Sequence, residues 1–196
     1  PRLWINAEGI AIYRPSAVLR SEADQPDGTD FLAQVAHAWE RAFFEIGTPA
    51  TRKVILRISL VMTAGGGALQ PLRRIARLGL GGPIGSGDQY VSWIHEHDFV
   101  RLVDWLIHHD RITGAVHACS PHPVPNRELM AAIRAAQGVP VGIPSPTWLT
   151  RLGACVVGVA PEPILTGRKV VSTVLQDAGF TFEFPEIRGA LHNLIV

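Results

Sequence analysis

The run Val54-Ile55-Leu56-Arg57-Ile58-Ser59-Leu60-Val61-Met62 decides the fold of this chain. Its apolar residues are continuous except at Arg57 and Ser59, which is typical of a strand buried on both faces of a parallel sheet. Gly65-Gly66-Gly67 follow the run, and helical spacing then continues through Leu78. Because a buried strand that leads into a helix is the repeating unit of α/β proteins, this stretch predicts an α/β fold.

The residues before this run predict a strand, a loop and a helix. Short apolar runs at 3–5 and 10–13 surround Asn6-Ala7-Glu8-Gly9, which indicates a strand that ends in a polar turn. Residues 14–30 are rich in turn residues and are expected to form a loop, in which Asp27, Thr29 or Asp30 caps the next helix. The expected buried face of that helix, which Gly47 closes, consists of Phe31, Leu32, Val35, Trp39, Ala42, Phe43 and Ile46.

The residues after the run continue the alternation of strands and helices. A glycine-dense loop at 79–87 leads into an extended stretch at 89–95, and a helix is expected to start at Asp98. A strand at 114–119 and a helix from Asn126 to about Gln137 come next. The expected buried face of the helix after Asp98 consists of Phe99, Val100, Val103, Leu106 and Ile107. Trp39 and Trp105 are expected in the core, whereas Trp93 fits either the core or a pocket wall.

The carboxyl-terminal part has a different character, since prolines separate short apolar segments from residue 140 onward. Helices are predicted at 147–157, 168–178 and 186–194, with a short alternating strand at 180–184. Alternating strands and helices followed by this tail predict a mostly parallel sheet with a small helical lobe. We place the domain boundary near residue 120, or at the latest near 140, and the first choice divides the chain into 1–120 and 121–196.

Charge, cysteines and hydropathy exclude several classes of protein. The 18 Lys and Arg residues balance 17 Asp and Glu residues, so no basic stripe predicts a nucleic-acid partner. Cys119 and Cys155 lie in apolar surroundings without a CxxC pair, which favours buried, reduced thiols and a cytoplasmic protein. No apolar run is long enough to predict a membrane span.

Gly79 to Gly87 contain the densest glycines, but their context is wrong for a phosphate-binding loop. A phosphate cradle needs a strand before its glycines and a helix N-terminus after them. Here a helix precedes the glycines and an extended stretch follows, and no G-x-G-x-x-G follows a strand anywhere in the chain. We therefore favour a flexible active-site loop over a purely structural bend.

His95 and His97 flank Glu96, and two ligands at this spacing on a strand share a face. No third metal ligand can be identified from spacing, so the pattern favours a polar cluster in which Asp98 caps a helix, and no metal site is predicted. His108 and His109 fit the negative end of a helix dipole.

Several motifs in the right order resemble one known family. The main one is the segment at 77–98, RLGLGGPIGSGDQYVSWIHEHD. The others are Trp39-Glu40, Leu56-Arg57, the stretch at 118–128, and a tail at 168–180. They resemble an atypical, extended short-chain dehydrogenase/reductase of the NAD(P)-dependent epimerase/dehydratase type, whose tail is similar to a small domain specific to this branch.

This resemblance implies a partial Rossmann-like domain at 1–120, with a substrate loop, and a small α-rich domain at 121–196. The family binds NAD or NADP through an N-terminal glycine fingerprint, and the resemblance begins near the fifth strand of its sheet. About a hundred residues of the nucleotide-binding part are therefore expected to be missing from this chain. NAD or NADP is implied as the cofactor but is not expected to bind tightly to this chain.

The wider superfamily uses a Ser or Thr, a Tyr and a Lys four residues after the Tyr. The Tyr transfers the hydroxyl proton, and the Lys ammonium lowers the pKa of the Tyr. Judged from Tyr13, the Ser/Thr position falls on Gly9; judged from Glu40, the other two positions fall on Leu32 and Ala36. Ordinary catalysis by this chain alone is therefore not expected.

The resemblance also implies pocket residues, which are Tyr13, Arg57, Gln89, Trp93, His95 and Asp98. Arg57 or Arg101 is suited to a diphosphate.

The expected function is that of an NAD(P)-dependent epimerase/dehydratase-like oxidoreductase acting on a sugar-nucleotide-type substrate. The alternatives are a non-catalytic binding module of the same fold and a dimerisation scaffold. Exposed apolar surface is expected to cause homo-oligomers or aggregation.

Overall fold

The structure is a computed structural model that describes residues 1–148 and 165–196. In these two ranges the strands β1 to β9 are Leu3–Gly9, Ser16–Arg20, Arg52–Ile58, Leu60–Met62, Tyr90–Val91, Trp93–His95, Gly114–Ala118, Val124–Pro125 and Arg168–Val170. The helices α1 to α6 are Phe31–Glu45, Leu69–Arg77, Glu96–His108, Asn126–Ala136, Thr173–Asp177 and Ile187–Ile195. A short 3-10 turn, Ile10–Ile12, follows β1.

The central sheet has the strand order β1-β3-β7, and all its strands are parallel. The connection from β1 to β3 contains α1, and the connection from β3 to β7 contains α3. Parallel neighbours require such crossovers, because a short turn cannot bring the chain back to the same end of the sheet. The predicted α/β class with a mostly parallel sheet is confirmed.

The two faces of this sheet have different surroundings. Val54 and Leu56 of β3 pack with Leu102 and Leu106 of α3 in one apolar core. Arg57 alternates with them and projects toward Glu40 of α1 on the other face. A polar cluster can therefore form on the α1 side without disturbing the core on the α3 side.

A second apolar core lies between α2, α4 and α6. Trp93 is fully buried there, and its indole N–H donates to the carbonyl of His122 at 3.0 Å. The strands β4 and β6 run parallel beneath this core, and β5 pairs antiparallel with β8. Trp93 is thus a core residue, which decides between the two roles that the sequence allowed.

Two predicted strand boundaries were wrong. The strand β1 continues through Glu8 to Gly9, because Glu8 is buried beside Arg57 rather than placed in a polar turn. The run at 54–62 is two strands, since the chain leaves the central sheet at Ser59 and Leu60 pairs with Trp93 of β6. Ser59 itself bonds to the carbonyl of Ala118 through both its backbone N–H and its hydroxyl.

The predictions for the loop at 14–30 and for the tail also need correction. The loop contains β2, which pairs in parallel with β9, so residues 168–170 form a strand where a helix was predicted. Residues 168–170 are extended because they pair with β2, which is distant in sequence, so their local sequence pattern does not indicate a strand. The alternating segment at 180–184 is not a strand, because its backbone N–H groups at 183 and 184 bond to the Asp98 carboxylate.

The predicted buried face of α1 was mostly wrong, and that of α3 was too wide. Ala33, Ala36 and Phe43 are the buried residues of α1, whereas Trp39 is 55% exposed. Small alanines let the helix approach its neighbours closely, and the larger apolar side chains then lie outside the contact. In α3, two residues of the predicted buried face also lie outside the contact: Val100 is 66% exposed, and Ile107 is exposed as well.

Part of one predicted helix, 147–157, and Cys155 lie outside the described residues. The pairing of β2 with β9 joins segments from either side of residue 120, and the division at that residue stays a prediction. Within the described residues, no helix is both long and apolar enough to cross a membrane.

Candidate functional site

Glu8, Arg57 and His117 lie side by side at the carboxyl ends of the three central strands. The register pairs Glu8 with Arg57 and Arg57 with His117. Side chains at matching positions of parallel strands lie on one face, so these residues form a row on the α1 side. Tyr13 and Glu40 complete what we call the carboxyl-edge cluster: Glu8, Tyr13, Glu40, Arg57 and His117.

Arg57 is the centre of this cluster. Its Nε donates to Oε1 of Glu40 at 2.7 Å, and its Nη2 donates to Oε2 at 3.0 Å. Such a two-point contact matches the planar guanidinium to the carboxylate. Burial opposes the charge on Glu40, but the hydrogen bonds from Arg57 and Glu8, together with the charges of Arg57 and His37, lower the pKa of Glu40 overall.

Tyr13 and His117 extend the cluster toward β7. Nη1 of Arg57 donates to the Tyr13 hydroxyl at 2.7 Å, and that oxygen lies 3.1 Å from Nε2 of His117. Nδ1 of His117 faces the Val171 carbonyl at 2.8 Å, which can only accept, so Nδ1 carries a proton. Burial raises the pKa of Tyr13 to about 12 and lowers the pKa of His117, so both groups are neutral near pH 7.

Glu22 connects the cluster to the tail of the chain. Its carboxylate accepts from the backbone N–H of His117 at 2.7 Å, from the Ser172 hydroxyl, and from the backbone N–H of Thr173 at 2.9 Å. Burial raises the pKa of Glu22, but His117 and these hydrogen bonds lower it overall. A loop after β2 is therefore fixed to both β7 and the start of α5.

The three positions that the sequence assigns to the superfamily Ser/Thr, Tyr and Lys contain no group that transfers a proton. Gly9 is the last residue of β1, and a Cβ there would meet only ordinary contacts, the nearest at 3.8 Å. Leu32 is exposed on α1, and Ala36 is buried one turn later with Tyr13. A serine hydroxyl would fit at Gly9, but this chain has none there.

Both lysines of the chain serve other contacts. Lys53 donates to the carbonyls of Phe43 and Ile46, at the end of α1, where a cation is favourable. The ammonium of Lys169 lies over the ring of Tyr90, 4.3 Å from its centre. Neither lysine can replace the one that the superfamily places at Ala36.

The structure brings two of the six predicted pocket residues together, Tyr13 and Arg57. Gln89 lies elsewhere and donates to the Ile84 carbonyl at 2.8 Å. His95 stacks on Phe184 with ring centres 4.0 Å apart, and burial lowers its pKa. Like Trp93, these side chains have structural contacts, and a pocket role for them stays a prediction.

Asp98 has a structural role that differs from the expected helix cap. The N-cap of α3 is His95, whose Nδ1 accepts from the backbone N–H of His97. Asp98 is fully buried and accepts from the backbone N–H groups of Glu183 and Phe184 at 2.9 and 2.8 Å, and from Arg101 at 2.8 Å. It fixes the segment before α6 against α3.

The glycine loop at 79–87 forms backbone hydrogen bonds with residues 143–145, and its role as a flexible active-site loop stays a prediction. Gly82 donates to the Ile143 carbonyl, and Ile143 donates back to Gly79. Ser145 and Gly85 continue the ladder. A Cβ on Gly82 would lie 2.5 Å from the carbonyl carbon of Ile143, so glycine is needed there for close backbone packing.

The described residues lack the Tyr and Lys pair that the superfamily uses beside its cofactor, since the positions assigned to the pair from the sequence are Leu32 and Ala36. Among the residues at 1–148 and 165–196, no group of three or more His, Cys, Asp or Glu side chains could hold a metal ion.

Sequence reasoning missed Glu8, Glu22 and His117 as members of one network. A single ionisable residue between apolar neighbours, as at Glu8 and His117, was the only available signal. Glu22 gave no signal in the sequence, because it lies in a turn-rich segment and its partners are distant in sequence.

Comparisons with known proteins give one consistent result. A family model described as Domain of unknown function (DUF1731) matches residues 145–194. Epimerase family protein SDR39U1 of Mus musculus is 34% identical over 100% of this chain and 66% of its own length. The chain thus spans about two thirds of that relative.

Solved structures agree with this result. Human epimerase family protein SDR39U1 (isoform 2), crystallised with NADPH, is 30% identical and has a TM-score of 0.89 over 100% of this chain and 65% of its own. A nucleoside-diphosphate sugar epimerase from Corynebacterium glutamicum has a TM-score of 0.76 over 99% of this chain and 38% of its own. At 24% identity, the second likeness concerns the fold alone.

Proposed function

Because the chain belongs to the atypical, extended short-chain dehydrogenase/reductase family, whose members are named epimerase family proteins, we propose that it forms the substrate-side part of an NAD(P)-dependent epimerase/dehydratase-like oxidoreductase. The proposed substrate is of the sugar-nucleotide type. The chemistry of hydride transfer would belong to the cofactor, and this chain would supply orientation.

The observation that carries the proposal is the position of the carboxyl-edge cluster. Ligands of open parallel sheets bind beyond the carboxyl ends of the strands, and Glu8, Arg57 and His117 lie at those ends. Gly9, at the superfamily Ser/Thr position, ends the strand beside them. The human relative was crystallised with NADPH, which supports the same cofactor class for the proposed enzyme.

Gly9, Leu32 and Ala36 limit what this chain can do alone. Without a hydroxyl, a phenol and an ammonium at these positions, the superfamily proton transfer has no donor or acceptor. We therefore propose that the chain by itself does not catalyse turnover and does not retain the dinucleotide tightly. The same observation favours the second candidate function, a non-catalytic binding module of this fold.

Cofactor titration distinguishes the two functions. NADPH and NADH are titrated against the full-length gene product, followed by calorimetry, and against this chain alone. Saturable binding by the full-length product, but not by this chain, is expected from an oxidoreductase. Lack of binding at millimolar cofactor contradicts the enzyme and favours the binding module.

A restored proton-transfer pair gives a second test. Leu32→Tyr with Ala36→Lys in the full-length product reintroduces the phenol and the ammonium one helical turn apart, and oxidation of NADPH by ketone-bearing nucleotide sugars is measured. The matched control is Leu32→Phe with Ala36→Met, which adds similar bulk without an ionisable group. A rate gain in the first variant alone supports the oxidoreductase; equal rates in both oppose it.

We further propose that the protein is cytoplasmic and that this chain by itself forms homo-oligomers through exposed apolar surface. Trp39 and Phe44 are exposed on α1, and β1 has no partner on its outer edge in the described part of the chain. The buried, free thiol of Cys119 suits a reducing compartment. Sedimentation tests the association: Trp39→Glu should weaken it, and a monomeric unmodified chain would contradict it.

A further inference from the structure

Glu8 is a buried carboxyl group without the partners that an ionised carboxylate needs. Its side chain is 2% exposed, and no N–H or O–H donor among the described residues bonds to either of its oxygens. An ionised carboxylate that loses its hydration without compensation is costly, so such a group takes up a proton instead. Burial alone therefore favours the neutral acid.

The guanidinium nearest to Glu8, that of Arg57, already donates hydrogen bonds to other residues. Nε and Nη2 of Arg57 donate to Glu40, and Nη1 donates to the Tyr13 hydroxyl. Oε2 of Glu8 remains 3.9 Å from Nε, which is too far for a hydrogen bond. One cation thus faces two carboxyl groups and compensates only one of them, Glu40.

We propose that Glu8 is a positioning residue that acts in its protonated form. Its acid proton is directed to Glu40, so the pair carries one negative charge, which matches the single charge of Arg57. Arg57 then stays directed at Tyr13, next to the end of β1. An ionised Glu8 would compete for Arg57 and repel Glu40, which would loosen that contact.

The surrounding charges agree with this assignment. Burial, followed by the hydrogen bond and the charge of Glu40, raises the pKa of Glu8 from 4.5 to about 9, although Arg57 acts to lower it. His37 on α1 faces Glu40 from the other side and lowers the pKa of Glu40. His117 lies beyond Arg57 on β7, and its ring is neutral near pH 7.

The sign of the resulting pH dependence follows from linkage. Between pH 4.5 and about 9 the folded protein keeps a proton on Glu8 that the unfolded chain has lost. The contribution of Glu8 to the free energy of unfolding therefore falls as the pH rises through this window. A Glu8 that was ionised and paired with Arg57 would give the opposite slope, below pH 4.5.

A direct test is the titration of the Glu8 side-chain carboxyl by NMR on protein labelled at glutamate, with the resonance assigned by its loss in Glu8→Gln. We expect a midpoint near 9 in place of 4.5. A midpoint at or below 4.5 would overturn the proposal. The titration needs neither cofactor nor substrate, so its failure is distinct from failure of the proposed oxidoreductase.

Two variants separate positioning from packing. Glu8→Gln keeps a donor toward Glu40 without charge, so the Tyr13 and His117 ring resonances should stay in place while the contribution of Glu8 to the slope above pH 4.5 disappears. Glu8→Leu removes the donor, and those resonances should shift. If Glu8→Leu does not fold, Glu8→Gln and the titration still decide; displaced Tyr13 and His117 resonances in Glu8→Gln would count against the proposal.

Discussion

Two buried carboxyl groups in this molecule, Asp98 and Glu8, have nearly the same exposure and opposite surroundings. Asp98 accepts two backbone N–H groups and a guanidinium at 2.8 to 2.9 Å. Glu8 accepts no hydrogen bond, and the nearest guanidinium serves its neighbour Glu40. The two carboxyl groups thus differ in the number of donors around them, and not in their depth of burial.

This difference also separates two kinds of contribution to the fold. Asp98 fixes a loop before α6 by accepting donors that would otherwise be buried and unpaired. Glu8 stays neutral, and it contributes by leaving the Arg57 guanidinium free to donate to Glu40 and Tyr13. Substitutions should therefore act very differently at the two sites.

The largest effect is expected for Asp98→Ala. It leaves the N–H groups of Glu183 and Phe184 and the Arg101 guanidinium without their acceptor, which should lower the free energy of unfolding by about 4 kcal/mol. Urea denaturation measures the change. The control is Asp104→Asn on the same helix, whose side chain is 74% exposed and which should cost less than about 0.5 kcal/mol. Similar losses in both variants would contradict the role assigned to Asp98.

A smaller loss is expected for Arg57→Met. The substitution leaves Glu40 without its two-point donor and Tyr13 without its N–H donor, at a cost of about 3 kcal/mol. Part of the cost is avoidable, because Glu40 is less buried than Asp98 and can take up a proton. Thermal unfolding at several pH values measures this, and the loss should shrink under acidic conditions. Arg41→Met, on the exposed side of α1, is the matched control.

The smallest effect is a change of pH slope at His117. Burial lowers the pKa of His117 below 6.5, so the unfolded chain binds a proton that the folded one excludes, and stability falls as the pH drops below 6.5. Glu22 and Glu40 oppose this shift, while Arg57 adds to it. His117→Asn should flatten the slope measured by thermal unfolding between about pH 7.5 and 5.5, which is about one unit on either side of the usual pKa. His122→Asn, at a 57% exposed side chain, should leave the slope unchanged.

Much of the fold was predictable, and particular residues show where prediction ended. The helix at 31–45 begins after Asp30, one of the caps proposed from the sequence. The strand at 168–170 was missed because its partner, β2, lies about 150 residues away in a segment without strand-like spacing. Trp39 was misplaced because helical periodicity indicates an apolar face without indicating how much of it a sheet covers.

For the site, sequence reasoning reached Tyr13 and Arg57 and identified Gly9, Leu32 and Ala36 as positions without proton-transferring groups. It did not reach Glu8 or His117, because one ionisable residue inside an apolar run has no periodic signature. Nor did it anticipate that the glycine loop is fixed by residues 142–145, since backbone ladders leave no side-chain pattern.

The sequence by itself determined the α/β class, the family and the absence of a Tyr-x-x-x-Lys pair, because these depend on residue types and local spacing. The tertiary structure alone decided that Glu8, Arg57 and His117 share one row and that Asp98 accepts donors from residues 183 and 184. Strand register and loop closure bring distant residues together, and the charge state of a buried group depends on those neighbours.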